Sequence, residues 1–182
     1  MLVKRTGEWA DVLDAARSTV NKESLNKDPS DNFKRRILLA EHSPIRLLNY
    51  KWEWRGIKSW ISQHFARHSK FAEHFVNTQR TDRTGINRDE LRQDERVNHI
   101  MATNPQEIIA ISRKRLCSNA HEETQQEWHL VVEGIRAIDP ILADQLHPDC
   151  IYRGHCYEIN SCNFHKTKKF KNDLEKYRDG IN

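Results

Sequence analysis

Residues 48–68 read LNYKWEWRGIKSWISQHFARH, and the period of the apolar residues changes inside this stretch. Leu48, Tyr50, Trp52 and Trp54 alternate with Asn49, Lys51, Glu53 and Arg55, the two-residue repeat of a strand with one buried face. Past Gly56 the spacing of Ile57, Trp60, Ile61, His64 and Phe65 is helical, and it leads straight into Arg67 and His68. A strand thus feeds a helix that ends in basic groups.

Upstream, Trp9, Val12, Leu13, Ala16 and Val20 recur at helical spacing, as do Phe33, Ile37 and Leu38 after a cap at Ser30 or Asp31, so two amphipathic helices open the chain. Downstream, Phe75 to Arg80 suits a second extended segment, and Thr81 to Arg92 has too little apolar content to be anything but a surface loop. Asn104, Pro105 and Glu107 form a helix start, because asparagine caps, proline is tolerated in the first turn, and the glutamate can reach back. That helix carries Ile108, Ile109, Ile111 and Ser112 towards Arg115. A further helix from about Glu122 shows Trp128, Val131, Val132 and Ile135 on one face, and Asp139-Pro140 offers another start.

A chain of 182 residues suits one domain with tails. No apolar run approaches the ~20 residues of a membrane span, and residues 1–22 lack the apolar core of a secretory signal, so a soluble, cytoplasmic protein is expected. With 30 basic against 26 acidic side chains, the charge balance does not by itself call for nucleic acid. The histidines number ten, and most of them, His64 on its apolar stripe included, are expected to be structural or exposed.

Arg67, His68, Thr78 and Arg80 fall within the stretch RHSKFAEHFVNTQR, with His42, Arg113 and Arg115 available from elsewhere. Such groups suit an anionic nucleotide: guanidiniums hold phosphate bidentately, a hydroxyl completes the shell, and a further arginine stabilises charge on a base. Surface ion pairing is the plainer alternative for any arginine cluster.

The same stretch resembles the signature of the flavin-dependent thymidylate synthases, RHRxxSxxxxSxR. Arg67 and His68 match its first two letters; Ser69 and Ala72 depart from it, and one inserted residue brings Thr78 and Arg80 onto the final SxR. Glu41-His42 is similar to the family's pair before an extended segment, Asn104 to Arg115 reproduces an asparagine-to-arginine spacing, and RLCSNAHEETQQEW is similar to the pattern that follows. The agreement spans Leu39 to Trp128, about half of the chain.

For a short, phage-like member, the resemblance implies an α+β fold: a single domain over 1–165 with a central antiparallel sheet flanked by helices, and a basic tail over 166–182. It implies reductive methylation of dUMP to dTMP with FAD as cofactor and methylenetetrahydrofolate and NADPH as co-substrates, in sites between subunits of a homotetramer. Arg115 would be the catalytic residue and would also bind substrate together with Gln63, Arg67, Thr78, Gln79 and Arg80. His42, Arg67, His68 and Asn104 would position the flavin. Between Arg80 and Asn104 the chain is shorter than most relatives, so Arg88, Arg92 and Arg96 all remain candidates for a second phosphate contact. The alternatives are a related flavin enzyme acting on another pyrimidine or carbon donor, and a non-catalytic zinc- or nucleic-acid-binding module.

Cys150, Cys156 and Cys162, with His155 and His165 interleaved, fit no strong zinc signature, because tight C-x-x-C pairs are missing. Free thiols are the expectation and no metal ligand is assigned; a zinc here would staple the C-terminal loop without entering the chemistry. Phe164 to Tyr177 reads as a basic helix with a solvated face.

Overall fold

In a computed structural model that describes residues 1–179, strand β1 (Val3–Thr6) precedes helices α1 (Trp9–Ser18) and α2 (Asp31–Leu39), and a 3-10 turn over Ser43–Leu47 leads into strand β2 (Asn49–Lys58). Helix α3 (Ser59–Ala66), strand β3 (Ala72–Val76), the single turn α4 (Thr81–Thr84) and strand β4 (Arg96–Thr103) follow. Helices α5 (Pro105–Arg115), α6 (Glu122–Arg136), α7 (Pro140–Ala143), α8 (Asp149–Arg153) and α9 (Lys168–Asp179) complete the described chain. The α+β class expected from the sequence is the one observed.

The four strands form one antiparallel sheet in the order β1-β2-β4-β3. In β2 the inward residues Tyr50, Trp52, Trp54 and Ile57 are all buried, while Asn49, Lys51 and Arg55 face water, as befits an antiparallel sheet covered on one face. Trp54 stacks on Phe65 of α3 with centroids 4.5 Å apart, and Trp128 of α6 packs on both Trp52 (5.8 Å) and Phe65 (5.7 Å). This aromatic layer is the centre of the core.

Gly56 ends neither the strand nor its pairing. Its φ of +71° makes a bulge between Trp54 and Ile57, after which Ile57 pairs with Val97 and the strand runs on to Lys58, so Ile57 belongs to the sheet and the helix begins only at Ser59. The Asn98 side chain accepts from the Gly56 N–H at 3.0 Å, and Arg96 donates to the Gly56 carbonyl at 2.9 Å. Arg96 is therefore a fastener of the bulge, within a strand.

Other boundaries move for equally local reasons. Helix α1 stops at Ser18 and leaves Val20 exposed. Strand β3 lies earlier than the Phe75 to Arg80 expectation, because β4 pairs with Ala72 through Val76 and Thr103 Oγ1 donates to the Phe71 carbonyl at 2.7 Å. Residues 81–92 form the expected surface segment, with α4 and a 3-10 turn at Arg88–Glu90 inside it. No helix among the described residues is long and apolar enough to cross a membrane.

Asp139 is 3% exposed and ties four elements together. Its carboxylate accepts from Trp9 Nε1 at 3.0 Å, Tyr50 Oη at 2.7 Å, the Leu142 N–H at 3.0 Å and Arg5 Nη1 at 3.4 Å. Burial and the neighbouring carboxylate push the Tyr50 phenol far upward, so it remains a donor at all ordinary pH. Asp139→Ala would strand several buried donors at ~1–3 kcal/mol each, and a fall in stability of about 3 kcal/mol or more is expected from the urea midpoint, with Tyr50→Phe much milder.

Candidate functional site

Two helix ends meet beside the sheet. Asn104 caps α5, its side-chain oxygen accepting from the Glu107 N–H at 3.2 Å, and basic residues Arg113, Lys114 and Arg115 occupy the last turn, where the helix dipole favours them. Helix α3, held by the Trp54–Phe65 stack, delivers Arg67 and His68 to the same place. His68, Lys114, Arg115, Asn119, Ala120 and Glu158 line an open pocket of about 300 Å³.

Arg115 is the unusual group in it. Its Nη2 donates to the His64 carbonyl at 2.7 Å, its Nε is buried without a partner, and no carboxylate pairs with it among the described residues. Burial first, and then Arg67, press its pKa downward, and Glu158, the acid that lines the pocket, pairs with Lys114 at 3.7 Å and not with Arg115. His64 itself is structural, bonded through Nδ1 to Thr124 Oγ1 at 2.9 Å and packed on Trp60.

His68 is pushed down to about 4, by burial and then by Arg115 and His74, and is neutral at physiological pH. Its Nδ1 lies 4.0 Å from Glu107 Oε1, too far for a hydrogen bond, and its Nε2 is buried with no partner. Burial also raises the Glu107 carboxyl. Arg115 Nε and His68 Nε2 are thus buried polar atoms without a partner among the described residues, on two side chains that line one pocket.

A relay of side chains that sequence reasoning missed stands behind these residues. Ser62 Oγ meets His99 Nδ1 at 3.0 Å, His99 Nε2 meets His74 Nδ1 at 2.9 Å, and His74 Nε2 meets the His68 carbonyl at 2.8 Å. The carbonyl can only accept, so His74 Nε2 donates; a neutral His99 then bridges His74 and Ser62 through its two ring nitrogens. The peptide carbonyl of His68 is fixed by this chain. Only the inward alternation of Val97, His99, Met101 and Thr103 on β4 could have pointed to His99, and two polar residues in that row hide the pattern.

The remaining expected residues lie elsewhere. Gln63 is exposed on α3. Thr78 and Arg80 are exposed and Gln79 partly so, past the end of edge strand β3; Thr78 is four residues beyond His74, ~13 Å away at extended spacing. Thr78 Oγ1 accepts from the Arg80 N–H at 3.2 Å, and Arg80 makes a bidentate pair with Asp82. Exposed His42 sits between Glu41, paired with Arg113, and Arg46, bonded to Gln106. Gln106 and Arg113 share one face of α5, about 180° around the helix from Arg115. Arg88 and Arg92 are exposed, the latter paired with Asp94 at 2.9 Å.

No protein-family model matches the chain, and no curated protein matches it by sequence. Solved structures do match in shape. The flavin-dependent thymidylate synthase of Helicobacter pylori, complexed with FAD and dUMP, superposes with a TM-score of 0.65 at 13% identity over 81% of this chain and 100% of that one. A second structure of the same enzyme with FAD and dUMP gives 0.64 at 13% identity, covering 80% and 99%. A UMP/dUMP methylase from Streptomyces cacaoi, bound with 5-Br dUMP, gives 0.62 at 12% identity, covering 79% and 92%. The chain has the fold of the flavin-dependent thymidylate synthases.

His99 has no exposed surface and is held down to about 4, by burial and then by His74. His68 and His99 stay neutral in the folded chain to about pH 4, whereas unfolded histidine takes up a proton near ~6.5. Stability is therefore full above that unfolded value and is lost as pH falls from about 6.5 towards 4. Urea midpoints should drop between about pH 7.5 and about pH 5.5, and His99→Gln should flatten the slope.

Proposed function

We propose that the chain is a flavin-dependent enzyme that reductively methylates dUMP to dTMP, with methylenetetrahydrofolate as carbon donor and NADPH as reductant. The observation that carries this reading is Arg115: a half-buried guanidinium without a counter-ion among the described residues, beside a neutral His68, on a fold whose solved examples include FAD and dUMP complexes. A buried cation without a partner is costly, and a pyrimidine ring that gathers negative charge as its fifth carbon becomes nucleophilic would supply the missing anion.

In this reading the FAD would supply the redox chemistry, and the protein contributes binding, orientation and charge. The residues fit such a group in kind, since His68 and Arg115 line one open pocket and Asn104 marks the positive end of α5. Arg67, His68 and Asn104 would face the flavin. Arg115 would hold the uracil ring and favour the charged transition state, while Thr78, Gln79 and Arg80 would hold the phosphate once Arg80 exchanges Asp82 for it.

These groups do not meet within one protomer. His42 lies across α5 from Arg115, and Thr78 to Arg80 lie past the end of a strand whose outer edge is unpaired and carries exposed Phe75 and Val76. We therefore place the complete site between protomers of a homotetramer, where one chain's edge segment completes another chain's pocket.

Three measurements test this. Purified protein titrated with FAD should show a flavin spectrum that dUMP perturbs, and NADPH should bleach it under anaerobic conditions; absence of FAD binding with dUMP present would sink the reading. Arg115→Ala should keep the fold while lowering dTMP formation by ~10²-fold or more, the scale of losing one charge-stabilising donor. Native mass spectrometry should return a tetramer, and a monomer that turns over dUMP would contradict the shared site.

A further inference from the structure

All four cysteines of the chain line one cavity. Cys117 follows the C-terminus of α5, Cys150 rides on α8, and Cys156 and Cys162 come from the stretch between α8 and α9, yet all four belong to a single recess of about 260 Å³. None is in a disulfide. The sequence suggested only a loose trio, because Cys117 is more than thirty residues from the others; the packing of α5 against α8 brings it in.

We propose that Cys117, Cys150, Cys156 and Cys162 form a structural site for one soft divalent metal ion of the zinc type. Four sulfurs with no fixed charge partner are the donor set that such an ion prefers, and they complete a tetrahedral sphere with no open position. The site is separate from the proposed flavin chemistry and does not depend on it.

Among the described residues no three metal-ligating groups already meet at one point, so the thiols must move to bind. Cys117 and Cys150 are carried by the ends of packed helices, whereas residues 154–163, bearing Cys156 and Cys162, form neither helix nor strand. A metal would draw that stretch inward and couple binding to its ordering.

Binding of a divalent ion displaces the thiol protons, because the thiolate is the ligand.

The position explains what the site would do. Lys114 reaches Glu158 at 3.7 Å, and Asn119 donates to the Asn160 carbonyl at 2.6 Å, so the same stretch closes over the last turn of α5. Cys117 and Glu158 line both this cavity and the pocket of Arg115. A metal here would staple the rear wall of that pocket.

The test uses the full chain, reduced, freed of metal with a chelator and titrated with Co²⁺. One equivalent should produce thiolate-to-cobalt charge-transfer absorption and the intense visible bands of a tetrahedral site, both bleached by one equivalent of Zn²⁺. The double variant Cys156→Ser/Cys162→Ser should lose both bands while far-ultraviolet circular dichroism stays that of the wild type, and His165→Gln should retain them. No charge-transfer band in the reduced wild type overturns the proposal, and so does a band that survives in the double variant. Loss of the band in His165→Gln would overturn the four-cysteine ligand set.

Discussion

The stack of Trp54 on Phe65 is the contact on which the other parts depend. It is made between the middle of β2 and the second turn of a helix only eight residues long, and so fixes where that helix ends. Truncating such a buried ring costs ~3–5 kcal/mol, more than a helix of this length can supply from its own hydrogen bonds. Because Arg67 and His68 follow directly, their position is set by aromatic packing, not by the loop that comes after. Trp128 extends the layer to α6, and its indole nitrogen donates to Ser112 on α5 at 3.0 Å, so the helix carrying Arg115 is registered against the same slab.

Around that slab the polar groups fall into two kinds. Asp139, with four donors on its carboxylate, and the Ser62–His99–His74 relay are closed networks whose partners are all within the chain. Such networks fix geometry, since a half-satisfied buried group is expensive. Arg115 Nε and His68 Nε2 belong to an open one, buried without a partner among the described residues on side chains that line one pocket. The relay ends on the carbonyl of His68, so the closed network holds the open one in place. The site reads as a cation kept ready for an anion by a rigid neutral frame.

The C-terminal third follows the same division. Phe170 of α9 is buried, and Tyr177 packs on His147 with centroids 5.1 Å apart, while the lysines of that helix face solvent. What sits between α8 and α9 is held chiefly by polar tethers to α5, and it is there that the cysteines collect.

The alternation in Leu48 to Arg55, the helical stripe from Trp60 to Phe65 and the Asn104-Pro105 start were sufficient by themselves for one strand, its helices and the two arginine-bearing helix ends, while the class of fold came from the resemblance. Apolar period and capping chemistry are local, and local signals survive in one sequence. Strands β1 and β4 were not legible: the first has four residues with one buried hydrophobic, and the second points His99 and Thr103 inward. Ile57 moved from helix to strand because Gly56 can adopt a positive φ and continue the pairing as a bulge. Only the tertiary structure could decide that Arg115 lacks a counter-ion, that His42 and Thr78 lie away from it, and that Cys117 joins three distant cysteines. Those are facts about which groups come close and which are shut away from water, and they are settled by packing between segments that no spacing along the chain relates.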